Sequence, residues 1–325
     1  MHFVIYLPSG FYSAIASTFI EILQAINDFK EPKPFTFEFV SPNKQAISRS
    51  GIIFNTKSRP SKKIDVLVLL SGLGSEVIST PNLLEEEWRI AKPLIKTAQK
   101  QKAILTATCG ASYMLAASGI LNGKRATISW WLKKEVQEKF PNVKWEPTRI
   151  LIRDGRIYTS GGGFSGLELI TTLLSDLGFS TQERRVRKLM VLPSSRQFQS
   201  PYEFSLDNHS GQLEKKLNRL FKDNPGINIS IMAKQLGMSP RNMARKFFDE
   251  LQISPGKWIQ TKRIDMAKSL LEETKLSISE VCYHIGFDDP SSFSRLFSKI
   301  TGMGPIEFRK QLQQSPVRKK MKQQT

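Results

Sequence analysis

Between residues 229 and 310 the apolar positions follow a helical period, and they follow it twice. Ile229, Met232, Ala233 and Leu236 stand at i, i+3, i+4 and i+7, so they share one face of a short helix that Gly237 ends. Forty-nine residues on, Ile278, Val281, Cys282 and Ile285 repeat the spacing, and Gly286 takes the place of Gly237. Repetition at a nearly fixed offset marks a duplicated supersecondary unit. In each copy a capping side chain followed by proline opens a second helix, at Ser239-Pro240 and at Asp289-Pro290. The period turns Met243, Phe247 and Leu251 inward in the earlier helix, and Phe293, Leu296, Phe297 and Ile300 in the later one. It leaves Arg241, Asn242, Arg245 and Lys246, then Ser291, Ser292, Arg295, Ser298 and Lys299, facing outward. A short helix, a glycine turn and a second helix with a cationic outer face make a helix-turn-helix, whose second helix enters a major groove. A helical bundle with solvated charge is the competing reading, and two copies with matched caps weigh against it. The intervening stretch, 255–271, predicts a helix roughly 25 Å long at about 1.5 Å per residue, a spacer between two reading heads.

Upstream the pattern changes to alternating strands and helices. Strands are predicted at 2–7, 35–40, 64–70 and 103–107, and helices at 13–29, at 85–101 despite Pro93, at 111–118 and at 164–177. Residues 150–152 and 157–159 flank Asp154-Gly155, a hairpin turn signal. This alternation argues a doubly wound, flavodoxin-like α/β domain with a parallel sheet over residues 1–192. The polar stretch 193–208 reads as a linker, 209–314 as an all-α domain carrying both helix-turn-helix units, and 315–325 as a basic, disordered tail able to touch phosphates.

Charge sharpens this division. The chain carries 48 Lys+Arg against 29 Asp+Glu, a formal net charge of +19. Residues 209–325 hold 21 of the cations against 11 of the acids, a net of +10 in 117 positions, so positive charge is denser where a polyanion is expected to bind. Two cysteines, Cys109 and Cys282, are too few for a disulfide framework, and the three histidines, His2, His209 and His284, form no ligand cluster. No metal, cofactor or membrane contact is expected, and the expected location is the cytoplasm, with nucleoid association when DNA is bound.

The stretches LGMSPRNMARKF, ISPGKW, KRIDMAKSLLEET, ISEVCYHIGFDDPSSFSRLFSKITGMGP and EFRK resemble the DNA-binding domain of AraC/XylS-family transcription regulators. The resemblance implies two recognition helices in successive major-groove segments on one face of the DNA, with Arg241, Asn242 and Arg245, then Ser292, Arg295 and Lys299, where the family's base- and phosphate-contacting residues fall; Lys246 and Ser291, on the same outer faces, complete the expected DNA-binding set. Cys282 departs from the small residue usual at its position and is expected merely to pack. Expected partners are double-stranded promoter DNA, a small-molecule effector, a second copy of the chain and RNA polymerase.

The run ILTATCGASYMLAASGILNGKRATISWW, followed later by TSGGGFSGLELITTLL, resembles the class I glutamine amidotransferase-like fold in its PfpI-like branch. In that branch a cysteine often sits on the sharp turn after the strand, two residues before a glycine, with a histidine beside a tryptophan further on. Counting back two from Gly110 lands on Thr108, which leaves Cys109 one position late, and the histidine slot before Trp130 holds Ser129. On that register no catalytic residue is expected, because a nucleophilic thiol needs a base in reach. The resemblance then implies a sensor of small, often nitrogenous, metabolites that also dimerises; the alternative is an amidase or hydrolase fused to a DNA-binding module. The expected pocket wall, beyond the carboxyl ends of the strands, is Gly72, Thr108, Cys109, Ser129, Gly162 and Gly163. Gly72 and the glycine triplet serve equally well as tight turns.

Overall fold

Wholly apolar runs such as Val66–Leu69 become interior strands, because helices on both faces of a parallel sheet leave no strand face in water. In the computed structural model, which describes residues 1–72, 82–193, 195–203, 212–251 and 253–313, the chain divides into two units, Met1–Ser200 and Pro201–Thr325. The first unit runs β1 (His2–Tyr6), α1 (Ser13–Asp28), β2 (Thr36–Val40), β3 (Gln45–Ile47), β4 (Ile53–Asn55), β5 (Val66–Leu69), α2 (Asn82–Lys100), β6 (Ile104–Thr108) and α3 (Ser112–Ala117). It continues with β7 (Arg125–Ala126), α4 (Lys133–Lys139), β8 (Lys144–Trp145), β9 (Leu151–Asp154), β10 (Ile157–Ser160), α5 (Gly166–Leu174) and α6 (Ser180–Leu189).

The main sheet has the order β2-β1-β5-β6-β10-β9, parallel except for the hairpin strand β9. Setting aside the short strands outside this sheet, the five parallel strands follow the flavodoxin-like order, with the switch point between β1 and β5. Strand alternation sorts the core into two layers. Phe3, Ile5, Val66 and Val68 pack under α1, α5 and α6, while Val4, Tyr6, Leu67 and Leu69 pack under α2 and α3. The helix expected over 164–177 is shorter, ending at Leu174 in a wide turn through Gly178 (φ +88°) that leads into α6.

The stretch expected to be a linker, 193–208, begins as part of this unit. Arg196 grips Glu168 through two charge-assisted bonds, Nε to Oε1 at 2.7 Å and Nη2 to Oε2 at 2.8 Å. Ile150 N–H donates to Gln197 O at 2.9 Å, and Gln199 N–H donates to Thr148 O at 2.7 Å. Polarity misled the sequence reading here: these side chains are polar because they bond to the domain. Residues 194 and 204–208 of that stretch, and the tail 315–325, lie outside the described residues.

The second unit is all α: α7 (Gln212–Asp223), α8 (Ile229–Gln235), α9 (Pro240–Leu251), α10 (Pro255–Glu273), α11 (Ile278–His284), α12 (Pro290–Thr301) and α13 (Pro305–Gln313). Each helix pair has its own core, Met232, Met243, Phe247 and Trp258 around the first, and Val281, Cys282, Phe293 and Phe297 at the second. The predicted caps form. Ser239 Oγ accepts from Asn242 N–H at 3.2 Å, and Asp289 accepts from the N–H groups of Ser291 and Ser292. Gly237 (φ +66°) and Gly286 (φ +77°) supply the left-handed turns.

Candidate functional site

Caps and cores orient α9 and α12 so that a polar stripe of each faces out. Along α9, Arg241, Asn242, Ala244, Arg245 and Phe248 are exposed, while Met243 and Phe247 are buried. Lys246 lies half-buried on the flank, 3.6 Å from Glu250, and so is set apart from its expected companions. Along α12, Ser291, Arg295 and Lys299 are exposed and Ser292 is half-buried. Arg295 Nη2 donates to Ser292 Oγ at 3.1 Å, which steadies the guanidinium above its helix. Sequence reasoning passed over Ala244 and Phe248, although the period i, i+3, i+4, i+7 from Arg241 selects both.

In the α/β unit, the carboxyl ends of β1, β5, β6 and β10 converge on a small cavity. Its lining is Tyr12, Ile15, Leu70, Ser71, Thr108, Cys109 and Gly163, so it sits at the switch point expected of a doubly wound sheet. Of the expected wall, Thr108, Cys109 and Gly163 line it directly. Ser129 stands behind Cys109, and Gly162 packs where a Cβ would come within 2.7 Å of the Trp131 ring. The cavity volume of about 20 Å³ has room for water but not yet for a metabolite.

Cys109 corrects the register inferred from Gly110. Thr108 is the last residue of β6, extended and opposite Ser160, whereas Cys109 has φ +56°, a left-handed conformation rare outside glycine. Such strain at a sharp strand-to-helix turn is the geometry of a nucleophile elbow, and Cys109 occupies it. Motif spacing had put the elbow at Thr108 because a glycine count carries no φ.

The surroundings of that thiol are unusual. Cys109 N–H donates to Gly161 O at 2.9 Å, and the Ser129 hydroxyl donates to Cys109 Sγ at 2.9 Å, so the slot read as a lost histidine does face the cysteine. Burial pushes the thiol pKa up, against the Ser129 hydroxyl and the N–H groups of Gly110 and Gly163, which favour thiolate. Glu87 approaches from α2; burial pushes its carboxyl up to about 8, while the Gly72 N–H pulls it down. Its Oε2 is sealed from solvent with no partner among the described residues, as are Ser112 Oγ, Ser160 Oγ, Ser165 Oγ and Trp131 Nε1.

The Gln199 amide closes the back of the site. Its Oε1 accepts from Gly162 N–H at 3.0 Å, and its Nε2 lies 2.9 Å from each of the carbonyls of Ile128, Pro147 and Arg149. A Cβ at Gly161 would meet that amide at 2.1 Å. Two hydrogen bonds, Cys109 to Gly161 and Gly162 to Gln199, thus connect the elbow with the strap at 195–200. No sequence signal marks Gln199 or Glu87, since a single polar residue has no period.

The raised Glu87 pKa has a measurable consequence. Folded chain keeps a proton that unfolded chain releases near 4.5, so the group's contribution is full below that pH and is lost as pH rises through about 8. Glu87→Gln, which cannot ionise, is expected to flatten the fall in urea-unfolding midpoint across this window. An unchanged slope would contradict a protonated Glu87.

A doubly wound α/β unit with an elbow cysteine, joined to paired helix-turn-helix units with cationic outer faces, defines a class of DNA-binding transcription regulators. Residues 20–176 match the DJ-1/PfpI family, and residues 232–311 match a helix-turn-helix domain. The chain therefore combines a DJ-1/PfpI domain with an AraC-type helix-turn-helix domain. It is 25% identical over 270 residues to the HTH-type transcriptional regulator CdhR of Pseudomonas aeruginosa, covering 81% of this chain and 78% of that one. It is 28% identical over 207 residues to the HTH-type transcriptional regulator GlxA of Rhizobium meliloti, covering 61% and 63%. A crystal structure of a candidate transcriptional regulator from Vibrio parahaemolyticus, 20% identical, superposes with a TM-score of 0.50 over 58% of this chain and 98% of that one, a likeness of fold.

Proposed function

We propose that this regulator reads its operator with both helix-turn-helix units of one chain, while the α/β unit holds a small polar effector and turns nothing over. The DNA reading rests on Arg245 and Arg295, exposed at matched positions of α9 and α12 and flanked by Arg241, Asn242, Ser292 and Lys299. The effector reading rests on the cavity at the carboxyl ends of the strands and on five sealed polar atoms of the same α/β unit, which have hydrogen-bonding capacity not met by described residues. A small molecule bearing both donors and acceptors, a nitrogenous metabolite among them, would use that capacity once the cavity widens. Its arrival would be felt at Gly161 to Gly163, and through Gln199 at the segment that leads into the DNA-binding unit.

Catalysis by Cys109 is disfavoured on chemical grounds. Burial opposes the thiolate, the facing group is a serine hydroxyl, and a carboxyl held protonated to about pH 8 is a poor base at neutral pH. His2 is engaged with Thr36 and Glu38 at the opposite end of β1. A thermal-shift screen of small polar metabolites on the full chain tests the reading. A binder should raise the melting temperature by mass action and shift the affinity for DNA. Cys109-dependent hydrolysis of amide or ester substrates would overturn it in favour of an amidase.

A further inference from the structure

We infer that the first reading head recognises thymine through its C5 methyl group, with Phe248 as the specificity-determining residue. The inference rests on the proposed reading of DNA by α9. A helix lying in the major groove presents residues at i, i+3, i+4 and i+7 to the base edges. From Arg241 these are Arg241, Ala244, Arg245 and Phe248, all exposed. The matched positions of α12 are Ser291, Ser294, Arg295 and Ser298. The arginine at 245 and 295 is common to both heads, but its flanks are apolar in the first and hydroxylic in the second.

Phe248 leaves 64% of its surface in water, next to the fully buried Phe247. On a helix that lies in a groove, such a ring gains by covering an apolar feature of the groove rather than staying wet. Charge says which kind. Arg241 and Arg245 precede the ring on the same face, within a chain of net charge +19, which favours a polyanion over a second copy, while the exposed Asp249 and Glu250 follow it off that face. In the major groove the apolar feature is the thymine methyl, and the feature that takes arginine in two bonds is the guanine O6/N7 edge. Arg245 and Phe248 are three residues apart, about 4.5 Å along the helix, which is about one base-pair step. The first segment is therefore a guanine with thymine one or two steps away, while the serine-flanked Arg295 gives the second segment no comparable demand for methyl.

The test begins with selection of bound sequences from a random duplex pool by the full-length chain. Each thymine of the selected site is then replaced by deoxyuridine, which removes only the methyl. Wild type should lose about threefold to fivefold in affinity at one or two thymines of one major-groove segment, the scale of one methylene's transfer energy. Phe248→Ala should bind thymine and uracil duplexes alike at those positions and retain wild-type discrimination elsewhere. Because Phe248 is exposed, its melting temperature should stay close to that of wild type. A selected site with no uracil-sensitive thymine, or one whose sensitivity survives in Phe248→Ala, overturns the thymine inference and leaves DNA reading by α9 standing. Failure to select any sequence removes the reading itself and this inference with it.

Discussion

Gln199→Ala is expected to destabilise the α/β unit by roughly 2 to 4 kcal/mol, a large loss for one exchange among polar residues. The side chain is 3% exposed and is bonded to Gly162 N–H and to the carbonyls of Ile128, Pro147 and Arg149. Alanine leaves Gly162 N–H and the carbonyls of Ile128 and Pro147 without that partner, while Arg149 O keeps the Thr127 hydroxyl at 2.8 Å, and a buried group without a partner costs more than a hydrogen bond contributes. The strap should also loosen, because the buried Gln199 is one of its anchors. Trypsin reads this directly: Arg196 is tied to Glu168 in the wild type and should be protected, whereas Gln199→Ala should be cut there early. An unchanged urea midpoint together with an unchanged tryptic pattern would mean that the strap is held elsewhere.

Arg245→Ala and Arg295→Ala are expected to weaken binding to a selected operator by about 1 to 3 kcal/mol each, and to relax base preference in different major-groove segments. Both side chains are exposed on matched faces, so neither exchange should disturb the fold. Base reading and phosphate contact predict different data. A base contact is lost at one position with little change in salt dependence. A phosphate contact is lost uniformly across sequences, and the slope of affinity against salt shrinks by about one. Titrations of operator variants at several salt concentrations separate the two. The first head should show the stronger preference, because Arg241 and Asn242 accompany Arg245, whereas Arg295 is accompanied by serines. If Arg295→Ala changed neither affinity nor preference, the second unit would be structural.

The parts of the fold that bury apolar surface were legible in the sequence. The five parallel strands and the paired helix-turn-helix units announced themselves through runs and periods, since repeated burial leaves repeated residues. Elements that bury little did not. The hairpin of β3 and β4 leaves Ile47 and Ile53 exposed, and α6 buries only Glu183 and Val186 of ten residues. The strap 195–200 looked like a linker because Arg196 and Gln199 are anchored by hydrogen bonds rather than by packing. The elbow was misplaced for a related reason: a backbone angle decides it, and spacing to a glycine is an indirect proxy. Phe247 and Phe248 illustrate the limit on site residues, since the period identifies the core phenylalanine and says nothing of what its exposed neighbour meets.

Two reading heads on a single chain make the central claim, and methylation interference on a selected operator tests it most directly. Methyl groups on guanine N7 block arginine in the major groove and leave the duplex otherwise intact. The account predicts two clusters of interfering guanines on one face of the DNA, about one helical turn apart. Arg245→Ala should abolish only one cluster and Arg295→Ala only the other. A single cluster that disappears in Arg245→Ala and is untouched in Arg295→Ala would contradict the account.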